Sequence, residues 1–116
     1  MPEASARVRD VFISPRKVRL VADLIRGKKV AEAQDILRFT PKAASRVLAK
    51  LLASAVANAE NKAAETRERI DTDEMRVTEL LVDEGLTLSR WRAAPRRRAV
   101  PIRKRSSRVR VVISGP

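Results

Sequence analysis

The sequence predicts a two-layer α+β domain, with three helices packed on a small three-stranded antiparallel sheet and an oversized, arginine-rich connection between the last two strands. Three observations lead there. Apolar residues recur at helical spacing in three segments between residues 14 and 62. Strand-like runs stand at the N-terminus and twice near the C-terminus. The 116 residues, 44% apolar, suffice for one core and leave little room for two, so 1–116 reads as a single domain. That core must be aliphatic, because Phe12, Phe39 and Trp91 are the only aromatic residues.

The first strand is expected over Ala4–Ile13, where Arg7 and Arg9 alternate with Ala6 and Val8 before the apolar Val11-Phe12-Ile13. Ser14-Pro15 then opens a helix, with Ser as N-cap and Pro at the first helical position. Val18, Val21, Ala22 and Ile25 face inward, Arg16, Arg19, Asp23 and Arg26 form a polar stripe, and Gly27 ends the helix as its C′ residue. Lys28-Lys29 makes a basic turn. A short helix follows from Val30 to about Phe39. Thr40-Pro41 reads as a second cap-and-proline start, for a long helix from Lys42 to about Lys62. Its apolar set from Ala44 to Ala59 keeps an i, i+3, i+4, i+7 pattern. Ala63 to Glu74 is polar and reads as a surface loop. Met75 to Val82 returns to strand composition, and Asp83-Glu84-Gly85 is expected to interrupt it. Arg108 to Ser114 is the clearest strand, with Val109, Val111 and Ile113 on one face and Arg108, Arg110 and Val112 on the other. The last two strands are expected to be antiparallel neighbours, and Pro95 and Pro101 to prevent a regular ladder throughout the connection.

The charge is +12 and sorted along the chain. Residues 1–50 carry 12 basic and 5 acidic groups, residues 51–85 carry 4 and 9, and residues 86–116 carry 10 and none. A one-signed C-terminal third either extends by self-repulsion or lies against phosphates, and so much charge on so small a body points to a polyanionic partner. The absence of Cys and His removes disulfides, thiolate zinc sites and the commonest general base. No apolar run is long enough to span a membrane, and Met1 to Ser5 has no signal-peptide character. A soluble intracellular protein without catalytic residues, metal or cofactor is expected.

Several motifs resemble a known family. Ser14-Pro15-Arg16-Lys17-Val18-Arg19-Leu20 and Asp23-Leu24-Ile25-Arg26-Gly27-Lys28 look like the opening of bacterial large-subunit ribosomal protein number twenty-two. Ser54-Ala55-Val56-Ala57-Asn58-Ala59 is similar to that family's long helix, Val82-Asp83-Glu84-Gly85 to its approach to a hairpin, and Lys104-Arg105-Ser106-Ser107 to its end. The order is right and nearly the whole chain is covered. The resemblance implies a small α+β domain on the surface of the large subunit, with residues 86–103 forming a long β-hairpin that lines part of the nascent-peptide exit tunnel. It implies large-subunit ribosomal RNA, neighbouring ribosomal proteins and the nascent peptide as partners, a cytoplasmic, ribosome-bound location, a part in subunit assembly and no homo-oligomer. Leu86 stands where members have Pro, and Arg97 where the hairpin tip has Gly.

The expected RNA-binding residues are Arg16, Lys17, Arg19 and Lys28, and in the arm Arg90, Trp91, Arg92, Arg96, Arg97, Arg98, Arg103, Lys104, Arg105, Arg108 and Arg110. Nine of the ten arm cations are Arg, whose planar fork matches phosphate oxygens and stacks on bases. Trp91 can stack on a base or staple the arm to the domain. Free of its partner, the arm is expected to move, and to order on binding. The tip is placed at Arg96-Arg97-Arg98. Arg16 and Lys17 sit where a helix N-terminus attracts phosphate, against the alternative of an ordinary capped helix. Lys42, Arg46 and Lys50 form a stripe that reads first as a solvated face, with RNA contact as the alternative. Asp71-Thr72-Asp73-Glu74 and Asp83-Glu84 are candidate Mg²⁺ ligands or simply solvated carboxylates. The rival functions are a non-ribosomal architectural nucleic-acid binder and an enzyme acting on a phosphorylated substrate.

Overall fold

The computed structural model describes residues 3–94 and 98–115. Three strands, β1 (Glu3–Val11), β2 (Arg76–Ala94) and β3 (Arg98–Ser114), form one antiparallel sheet in the order β1-β3-β2. Three helices, α1 (Pro15–Ile25), α2 (Val30–Phe39) and α3 (Ala43–Thr66), cover one face of it. The α+β reading and the long arginine-rich hairpin are therefore both found. The molecule measures 66 × 26 × 16 Å with a radius of gyration of 17.5 Å, where a compact chain of this length has about 13 Å. The excess is the arm: from Thr87↔Arg105 to Ala94↔Arg98, β2 and β3 run on as a two-stranded ribbon beyond the reach of β1.

The core is aliphatic, as the composition requires. Val77, Leu80 and Val82 of β2 and Val109, Val111 and Ile113 of β3 pack against Val18, Ala22 and Ile25 of α1, Leu37 of α2, and Leu48, Leu52 and Ala55 of α3. Each large side chain so buried contributes on the order of 1.5–3 kcal/mol. α1 starts as expected: Pro15 is buried at its first position, and Gly27 ends it at φ +81. The Ser14 side chain makes no capping bond, however. Its carbonyl accepts instead from the amides of Lys17 and Val18 at 3.0 and 3.1 Å.

Other boundaries differ for local reasons. Thr40 does not start α3. Its hydroxyl donates to the Ile36 carbonyl at 2.6 Å and closes α2, so the long helix begins at Ala43, with Ser45 donating back to the carbonyls of Thr40 and Lys42. α3 continues past Lys62 to Thr66, because Ala63-Ala64-Glu65 are good helix formers even though the apolar period has stopped. The rest of the expected loop holds a 3₁₀ turn at Thr72–Glu74. β1 ends at Val11, before the expected Ile13.

β2 is not interrupted at Asp83-Glu84-Gly85. It passes through a bulge, its register stepping from Glu84↔Ser107 to Thr87↔Arg105. β1 bulges at the same level, from Val8↔Val109 to Val11↔Ser107, with Asp10 at φ +58. A third irregularity, between Val77 and Glu79, puts Thr78 over β3, and Val112 is buried there rather than exposed with Arg108 and Arg110. Pro101 does not break the ladder: it pairs with Trp91. A two-stranded ribbon turns every second amide outward, so a residue without an N–H fits at such a position.

Both outer edges of the sheet are closed by helix side chains. On β2, Arg19 donates from Nε and Nη2 to the Val82 carbonyl at 3.2 and 2.8 Å, and Arg26 from Nη2 to the Leu80 carbonyl at 2.7 Å. On β1, Asn58 donates to the Ser5 carbonyl at 2.8 Å and Lys62 to the Glu3 carbonyl at 3.0 Å. Unpaired edge carbonyls template aggregation, and covering them with charged side chains is a usual defence.

Two outcomes follow for stability. A methyl group on Gly85 would lie 2.6 Å from Ser106 Oγ, the hydroxyl that donates to Leu86 O. Gly85→Ala is expected to lower the unfolding free energy by about 1–3 kcal/mol, and by clearly less in a Ser106→Ala background, where the clashing oxygen is gone; denaturant titration of the four proteins of the cycle measures this. Arg19→Ala should cost about 1 kcal/mol of stability and leave the salt dependence of RNA binding unchanged. A fall in that dependence instead would place the Arg19 guanidinium on a phosphate.

Candidate nucleic-acid interface

Side chains alternate along each limb, so the ribbon has two faces. One carries Leu88 beside Lys104, Arg90 beside Ile102, and then Arg92. The other carries Thr87 beside Arg105, Ser89 beside Arg103, and Trp91 beside Pro101. Cations thus occupy both faces, which suits an element enclosed by polyanion rather than laid along it. Trp91 is 72% exposed and belongs to the fifth pair beyond the bulge, so its ring does not staple the arm to the domain. Arg96 and Arg97 of the expected tip lie outside the described residues; Arg98 begins β3 opposite Ala94.

Three segments meet where the arm leaves the domain. Lys17 of α1 comes together with Arg103, Lys104 and Arg105 of β3 around an open groove of about 740 Å³. Arg16 is exposed on the same first turn. Lys28 is exposed too, but at the other end of α1, beside the start of β2, so the fold does not bring it to this groove. Arg19 is turned to the edge of β2, its fork engaged by Val82.

A second cationic area covers the sheet face turned away from the helices. Arg7 and Arg110 stand directly opposite each other, and Arg108 follows on the same face. Like charges in that position repel and favour an anion between them. The hollow beside them, about 520 Å³, is lined by Ser5, Arg7, Ser54, Asn58 and Arg110, a donor set suited to phosphate oxygens. Arg7 is a candidate that sequence reasoning missed: alternation placed it outward, but only the register shows that it faces Arg110. Lys42 and Arg46 join Arg38 around a third hollow, between α2 and α3.

Among the described residues the ion pairs are Arg26 with Asp23 and Lys29 with Glu74, and neither involves an arm cation. Two carboxylates stand at the arm root, Asp83 opposite Arg108 and Glu84 around a small hollow with Arg103 and Arg105, and another group lies away from it. Glu65 and Glu68 stand at the end of α3, and Asp71, Asp73 and Glu74 at the 3₁₀ turn, where the Asp71 carboxylate accepts from the Asp73 amide. No group of three His, Cys, Asp or Glu side chains is placed to share a metal ion among the described residues. No described helix is long and apolar enough to cross a membrane.

Comparison with known proteins agrees with this geometry. Residues 6–114 match the family model described as ribosomal protein L22p/L17e. The chain is 52% identical over 111 residues to the large ribosomal subunit protein uL22 of Lactobacillus delbrueckii subsp. bulgaricus, covering 96% of this chain and 91% of that protein. It is 51% identical over 113 residues to the uL22 protein of Desulfitobacterium hafniense, covering 97% and 95%. A family model spanning nearly every described element, and relatives of this identity along almost their whole length, show that the chain belongs to the ribosomal protein L22p/L17e family.

Proposed function

We propose that this chain is a non-catalytic structural constituent of the large ribosomal subunit that holds large-subunit ribosomal RNA with its arginine ribbon. The observation that carries this reading is the ribbon itself, with cations on both faces and no acidic residue from Leu86 onward. Arg forks on both sides of a strand pair reach phosphates on both sides at once. The folded domain supplies a rigid base, and its acidic end at Glu65 to Glu74 is set apart from the arm root, so the molecule meets a polyanion arm-first.

In the same reading the ribbon reaches an RNA-walled channel. Its eight paired residues per limb, Thr87 to Ala94 against Arg98 to Arg105, extend about 25 Å at roughly 3.3 Å each. At that depth its far end borders the path of the nascent peptide, while the domain contacts neighbouring ribosomal proteins at the surface.

Replacing residues 88–104 by a two-residue Asn-Gly turn keeps the part of β3 inside the sheet and removes seven cations. The log–log salt slope for binding large-subunit RNA should become shallower by about three or more, since each phosphate contact contributes roughly 0.9. An unchanged slope, measured by filter binding over a salt series, would remove the arm from the interface. Deleting only residues 93–99 should preserve incorporation into large subunits, because Arg103, Lys104, Arg105, Arg108 and Arg110 remain. It should still change the transit time of nascent chains, read by pulse–chase on ribosomes carrying the deletion; unchanged transit would place the tip away from the peptide path.

A further inference from the structure

β1 ends at Val11, and beyond Ser107 the outer edge of β3 has no strand beside it among the described residues. The chain turns away there through Phe12, Ile13 and Ser14 into α1. What this leaves is the groove at the arm root, bounded by Phe12, Lys17 and Leu88 and by Arg103, Lys104 and Arg105 of the free edge. Every second residue of such an edge turns its N–H and C=O outward without a strand partner.

Phe12 is the feature that RNA charge neutralisation alone does not explain. It is one of three aromatic residues in the chain, and 58% of it is exposed. Phe39 and Trp91 are more exposed still, but Phe12 is the aromatic ring that lines the groove together with Lys17, Arg103, Lys104 and Arg105. The four cations around it make an apolar protein surface a poor cover, since docking would strand their charges. The flat partner that tolerates both is a nucleobase, which offers a π-face to the ring and carries phosphates on either side. The groove's volume of about 740 Å³ is within the range of sites that enclose a small ligand, roughly 300–1,000 Å³.

We propose that this groove is a binding site for a single unpaired nucleotide of RNA, its base stacked on Phe12 and its flanking phosphates held by Lys17, Lys104 and the arginines on either side of Lys104. The inference rests on the RNA-binding reading above and adds to it a stacking residue, a substrate class (single-stranded rather than duplex RNA) and a location at the root of the arm rather than along it. Stacking supplies discrimination in favour of a splayed-out base, and the cations supply affinity that any phosphate shares.

The test uses the full chain with a nine-nucleotide single-stranded oligouridylate and a duplex RNA of the same length, at one fixed salt concentration. Phe12→Leu keeps the charge and most of the apolar bulk. It should weaken oligouridylate binding roughly 5- to 150-fold, the range of one base–aromatic stack, and leave duplex binding within about twofold. Phe12→Tyr, which restores a ring, should recover most of the loss. In the unaltered protein the Phe12 ring protons should move upfield when oligouridylate is added. Equal weakening on both RNAs, no rescue by tyrosine, or unmoved ring protons would each overturn the proposal. If Phe12→Leu has no effect while shortening the arm still lowers the salt slope on ribosomal RNA, the groove fails and the ribosomal reading stands. If the unaltered chain binds no RNA, both fail together.

Discussion

At Ser106 and Ser107 the central strand passes from having two neighbours to having one. Both hydroxyls are buried, and they point to opposite partners: Ser107 Oγ donates to the Ile13 carbonyl and Ser106 Oγ to the Leu86 carbonyl, each at 2.6 Å. The first ties the end of β1 and the start of α1 to the sheet, and the second ties the first residues of the arm. β1 and β2 both bulge at this level, and bulges bend and twist a strand. Two hydrogen bonds and one close approach at Gly85 therefore fix the root from which the arm leaves. Larger side chains at 85 or 106 would re-aim about 25 Å of ribbon from its base.

Electrostatics explains why such a base is necessary. A ribbon with cations on both faces repels itself, and a two-stranded hairpin alone is marginal in water. Its first pairs gain rigidity by continuing a sheet whose core is packed on three helices. The sheet in turn is edged by helix cations that donate to its carbonyls, Arg19 and Arg26 on one side and Lys62 on the other. Among the described residues, the basic side chains therefore divide into a group that donates to the protein's own carbonyls and a larger group for which no such bond is found. Position relative to an exposed strand edge, not residue type, separates them.

This division shows what a single sequence discloses. The helical period of Val18 to Ile25 and of Ala44 to Ala59, the glycine at 27 and the valine alternation at 109–113 follow local rules, and those elements stand where the rules put them. The charge asymmetry located the arm for the same reason: it is a property of composition. What was not legible depends on neighbours distant in the chain. Arg19 looks like any cation of a helix stripe until Val82 lies beside it. Arg7 gains a role only through its register with Arg110, and Phe12 looks like the end of a strand until β1 stops at Val11. Thr40-Pro41 misled because a hydroxyl serves the end of one helix as readily as the start of the next. Asp83-Glu84-Gly85 misled because turn-like composition also describes a bulge.

The strand order β1-β3-β2 has a further consequence, for biosynthesis. The central strand is made after both of its neighbours and after all three helices, so neither β1 nor β2 has a partner while the chain up to residue 97 is being produced. Until β3 emerges, two strand edges and the apolar faces of the helices lack their cover. Pairing Glu3 with Ser114 closes a loop of almost the whole chain, and long-range pairing of this kind is slow and exposed to aggregation. The carboxylates, all of which precede Leu86, give the incomplete chain a charge balance close to zero, and the last thirty-odd residues deliver strong net charge and the organising strand together. A newly made copy thus acquires its fold and its affinity for polyanions in the same step.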